Sequence, residues 1–68
     1  MIVELRTVTI GGKTYQLGAM RDQSGGYLAA LKPEGWDRWQ TDGAPHTTPA
    51  AAIEAAARAA EVDRIARG

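Results

Sequence analysis

The sequence predicts an α+β domain: an antiparallel sheet of three or four strands followed by one C-terminal helix packed on one face. Three observations predict it. Two apolar, β-branched runs flank Gly11-Gly12 as the arms of a hairpin. A third run, Tyr27 to Lys32, lies between turns rich in glycine and proline. Finally, Thr48-Pro49 opens a segment dominated by alanine, the best intrinsic helix former.

Residues 2–10 are rich in Ile, Val, Leu and Thr and form the first strand. Gly11-Gly12 supplies a two-residue turn, because glycine accepts positive φ at both positions. Thr14 to Met20 is the return strand. A two-residue loop pairs Ile10 with Lys13, Val8 with Tyr15 and Arg6 with Leu17, which sets Val8, Ile10, Tyr15 and Leu17 on one face. Val3 and Leu5 have the opposite parity. Either a bulge near Arg6-Thr7 returns them to the core face, or they form a second apolar surface suited to a dimer contact. We favour the bulge.

Residues 21–26 form a polar, glycine-ended turn, and the third strand follows with Tyr27, Ala29 and Leu31 on one face and Leu28 and Ala30 on the other. Pro33-Glu34-Gly35 ends it. Trp36-Asp37-Arg38-Trp39-Gln40 reads as a short fourth strand or as a helical turn. The turn-like residues on both sides favour the strand. Thr48 then caps a helix whose first residue is Pro49 and which runs to about Ala66. Glu54 with Arg58 and Asp63 with Arg67 have supportive i,i+4 order.

One helix stripe, Ile53, Ala56, Ala57 and Ala60, lies flat on a sheet. Val62 and Ile65 lie on another side, where they meet a partner or a second copy, or cover the sheet edge after a bend.

The chain has 68 residues, enough for one small domain over residues 1–68. A domain of this size buries only about 60% of its unfolded surface, so its core is thin. There is no cysteine, which excludes disulfides and cysteine-based zinc sites. Large apolar residues are few, so the four aromatics carry much of the core, with one tryptophan expected inside and the other partly exposed. No apolar run approaches the roughly 20 residues a membrane helix needs. With no secretory leader pattern at Met1, the expected setting is cytoplasmic, and the abundance of Ala, Gly and Arg with no Phe points to a bacterial or phage source.

Catalytic chemistry finds no constellation. His46 and Asp42 stand four apart in a loop, too few for a metal site, and Ser24 has no nucleophile context. Gly11-Gly12-Lys13-Thr14 lacks the first glycine and spacer of a phosphate loop. No catalytic, metal or cofactor residues are therefore assigned, and no small-molecule substrate is evident.

The residues suited to partner contact are Arg21, Lys32, Trp36, Arg38 and Trp39, together with Val62 and Ile65. Exposed Trp and Arg anchor interfaces, and aromatics beside cations stack on bases. Eight Lys plus Arg against eight Asp plus Glu give no basic surplus, and Asp22, Glu34 and Asp37 interleave with the cations. That balance favours a protein partner or self-association over nucleic acid.

The pattern Gly25-Gly26-Tyr27-Leu28-Ala29-Ala30, then Pro33-Glu34-Gly35, a strand, and Thr48 opening an alanine-rich helix resembles the HicB family of antitoxin domains over residues 15–60. The resemblance implies a small sheet with one helix, self-association and binding to a small RNA-cleaving toxin. The functional expectation is a small non-enzymatic protein-interaction module acting as a homodimer or as an accessory or inhibitory subunit. The alternative is a HicB-like antitoxin or a nucleic-acid-binding regulator.

Overall fold

The computed structural model describes residues 1–67, with side-chain surroundings given for residues 1–66. Four strands and a helix follow in order: β1 (Ile2–Ile10), β2 (Lys13–Arg21), β3 (Tyr27–Pro33), β4 (Gln40–Thr41) and α1 (Pro49–Arg67). The strands form one antiparallel sheet in the order β1-β2-β3-β4, and α1 packs across it. This is the expected α+β architecture.

The β1–β2 turn is set by Gly11 and Gly12 at φ of 58° and 81°, a backbone region open to glycine at little cost. The loop pairs Ile10 with Lys13, Val8 with Tyr15 and Arg6 with Leu17. Pro33 ends β3 opposite Tyr15. Tyr15 already uses its ladder groups toward β1, so the absent N–H of proline falls where no sheet bond is made.

Two expectations about β1 and β4 are corrected. The bulge lies at Val3, between the pairs Ile2–Met20 and Glu4–Ala19, and pairing is regular through Arg6 and Thr7. Leu5 therefore pairs with Gly18 on the face away from the helix and is 57% exposed. Likewise β4 contains only Gln40 and Thr41; the strand expected from Trp36 is a turn and irregular chain up to Trp39. Gly35 at φ 88° and the Trp36 N–H bonded to the Pro33 carbonyl (3.0 Å) turn the chain out of the sheet before it can pair.

Register assigns the faces. Tyr15, Leu17 and Ala19 of β2 and Ala29 and Leu31 of β3 point to the helix and are buried with Ala52, Ile53, Ala56 and Ala60. Ala57, expected on the same stripe, packs partly buried against this cluster. The alanines let helix and sheet backbones come close, and Tyr15, Leu17, Leu31 and Ile53 supply the bulk. Neither tryptophan enters this core. Tyr15 is its largest member at 0% exposure, and its hydroxyl donates to Asp63 Oδ2 at 3.0 Å.

The helix starts as its sequence dictates: the Ala51 N–H donates to Thr48 Oγ1 (3.1 Å) and the Ala52 N–H to the Thr48 carbonyl (3.2 Å). At its far end Arg64 lies against Gly11; a Cβ there would collide with the Arg64 guanidinium. Val62 and Ile65 are 66% and 74% exposed on an unbroken helix, so they do not bend back over a sheet edge.

Tyr15→Phe removes the hydroxyl bound by Asp63 while keeping the ring. The expected cost is about 1.5 kcal/mol, seen as a fall in Tm of roughly 6–12 °C with far-UV circular dichroism unchanged below the transition.

Candidate functional site

The helix covers one face of the sheet, and the other face carries the candidate site. Alternation places Leu5, Gln16, Gly18, Met20, Leu28, Ala30 and Lys32 there, and the bulge at Val3 adds Ile2 opposite Met20. This is the second apolar surface that the parity of Leu5 allowed.

Trp39 lies across that face. A Cβ built on Gly18 would stand 3.2 Å from Trp39 Cζ3 and 2.9 Å from Ile2 Cδ1, so the indole rests on the bare backbone of β2. Gly18 and Ala30 are buried although they point away from the helix. A side chain at Gly18 would lift the ring, and the small Ala30 leaves room beside it. Lys32 Nζ sits 5.2 Å from the Trp39 ring centroid, in range for a cation–π contact.

Beside this platform Trp36 is 42% exposed. With Thr14, Gln16, Lys32, Pro33, Glu34 and Gly35 it lines a shallow cleft of about 310 Å³. Its floor is fixed by Glu34, whose N–H donates to the Thr14 carbonyl (2.9 Å) and whose Oε1 accepts the Thr14 N–H (3.1 Å). Lys32, Trp36 and Trp39 are thus brought together, and Arg38 lies exposed in the chain between the tryptophans.

The other sequence candidates are elsewhere. Arg21 pairs with Tyr27 on the helix-side face and stacks over that ring at 5.5 Å, so it does not extend a basic edge around Lys32. Val62 and Ile65 lie on the outward side of the helix. Sequence reasoning offered Leu5 for a second apolar surface but favoured a bulge that would return it to the core, and it left Ile2, Gln16 and Gly18 out of the site. The hairpin register was the available signal for Leu5, Gln16 and Gly18, and only Ile2 needed the bulge position.

The loop polar residues have structural partners. Asp42 Oδ1 accepts the Ala29 N–H at 3.2 Å, and Oδ2 lies 3.4 Å from His46 Nε2. The backbone of His46 is bonded on both sides to Tyr27 at 2.7 and 2.9 Å. In the β2–β3 turn, Ser24 donates its hydroxyl and N–H to Asp22, which holds that carboxyl below its ordinary value. Among the described residues no group of three or more His, Cys, Asp or Glu is placed to hold a metal ion. No described helix is long and apolar enough to cross a membrane.

No family model, no curated protein and no solved structure matches the chain.

In a Trp36→Phe background, Gly18→Val is expected to lift Trp39 from the sheet. The check is a red shift of the remaining tryptophan emission and faster quenching by acrylamide, with helix content retained.

Proposed function

We propose that this chain is a small non-enzymatic protein-interaction module whose partner docks on the face of the sheet opposite the helix. The observation that carries the proposal is that Lys32 lies over the Trp39 ring and lines one cleft with Trp36, while Leu5 and Trp36 keep 57% and 42% of their surface exposed. Aromatic rings with a neighbouring cation are the usual anchors of protein interfaces, since they bury large area and lose little side-chain entropy. Trp39, seated on Gly18, is the preorganised wall. The half-exposed Trp36 is the anchor that a partner would bury.

The role that fits is an accessory or inhibitory subunit acting by surface complementarity in a bacterial or phage cytoplasm. A HicB-like antitoxin, binding a small toxin, is one form of that role. The nucleic-acid alternative is less well supported, because Arg21 stands on the helix side while Lys32 stands on the other face.

Affinity capture with the tagged chain is expected to retain a discrete protein partner with the wild type and to lose it with Trp36→Ala, while Val62→Ser retains it. Undiminished capture by the Trp36→Ala chain overturns the assignment. So does salt-sensitive binding to mixed DNA and RNA that Arg38→Ala weakens uniformly, which selects the nucleic-acid reading.

A further inference from the structure

The two edges of the sheet differ. Along β3 the outer edge is occupied: β4 pairs with Ala30 and Leu31, the Asp42 N–H donates to the Ala29 carbonyl, and His46 bridges to Tyr27. β1 is the opposite edge, nine residues long, and among the described residues no strand pairs with its outer side. The helix packs mainly on β2 and β3 and less on β1. An uncovered edge of this length is a template for another strand.

The hydrogen-bond alternation of the β1–β2 hairpin shows which groups the edge offers. A two-residue turn makes Ile10–Lys13 a hydrogen-bonded pair, and the pattern repeats at Val8, Arg6 and Glu4. The N–H and C=O groups of Leu5, Thr7 and Thr9 therefore face outward. Glu4 and Arg6 flank Leu5, share the helix-side face by register, and are both exposed. Neither has an ion-pair partner among the described residues.

We propose that two copies of this chain pair antiparallel along β1 about a two-fold axis at Leu5, with Glu4 of each copy opposite Arg6 of the other. The charges select this register. A two-fold at Arg6 sets like charges face to face, and one at Thr7 leaves Glu4 opposite Ile10 and Arg6 opposite Val8. The axis at Leu5 satisfies both cross-strand ion pairs and both outward groups of Leu5, and brings the two Leu5 side chains together on the outer face. The bulge at Val3 ends the regular run and bounds the register. Because each copy has one bare long edge, the contact is isologous and closes as a dimer instead of growing into a fibre. The inference rests on the reading of the chain as an interaction module but uses the sheet edge, not the Trp36 surface.

Sedimentation velocity of the full chain tests it. The wild type is expected to be a dimer, and Arg6→Glu or Glu4→Arg alone to weaken it by about tenfold. The combined Glu4→Arg, Arg6→Glu chain is expected to restore it. The sequence has no cysteine, so Leu5→Cys gives a clean probe: mild oxidation is expected to cross-link Leu5→Cys chains and not Thr9→Cys chains. A wild type that stays monomeric, a dimer indifferent to both charge reversals, or a double exchange that fails to restore would each overturn the proposal. Cross-linking at Thr9→Cys in preference to Leu5→Cys would falsify the register. Loss of partner capture by Trp36→Ala in a chain that remains dimeric separates the outer-face reading from this one.

Discussion

The fold depends on one side chain. Tyr15 stands in the middle strand pair, fully buried, with its ring between sheet and helix and its hydroxyl bound to Asp63 near the helix end. In so short a chain, with alanine at most of the contact positions of the helix, Tyr15 both fills volume and ties the sheet to the helix. The hydroxyl needs a partner because the ring is buried, and Asp63 meets that need from the last turns of α1. Arg64, one residue on, lies against Gly11, so the same helical turn closes over the hairpin. The position of the helix and the hairpin turn meet there.

Placing the helix on one face has a consequence for the other. A four-stranded sheet covered on one side must present its second face to solvent or to another surface. This chain makes that face partly apolar and folds Trp39 back over Gly18 to protect it. The protection is incomplete, since Leu5 and Trp36 stay exposed. A thin core and an unfinished second face are two sides of the same shortage of large apolar residues. Contact with a partner, or with a second copy through β1, would add burial to the thin core of a 68-residue chain.

Several elements were legible because their signals are local. Gly11-Gly12 fixes a two-residue turn, and the turn fixes the pairing of Val8 with Tyr15 and Arg6 with Leu17. Thr48-Pro49 and the alanines after it fix the helix start, and Ile53, Ala56 and Ala60 mark its buried side. The candidate site was legible only in part. Lys32 stands by both tryptophans, although the strand expected over residues 36–40 would have sent Trp36 and Trp39 to opposite faces, and Arg21 is carried to the helix side by the alternation of β2.

By itself, then, the sequence determined the order of elements, the hairpin register and the buried stripe of the helix, since each follows from backbone preferences within a few residues. Tertiary structure alone decided where the bulge falls, which aromatic fills the core and which face the tryptophans cover. Those outcomes turn on competition for space between distant segments. Tyr15 takes the centre because Asp63 is there to bind its hydroxyl, and Trp39 goes to the far side because Gly18 leaves the backbone bare. The bulge settles at Val3, which leaves Leu5 outward beside the indole. Neither the alternation of apolar residues nor the turn residues carry that information, because it resides in contacts that exist only once the chain has folded.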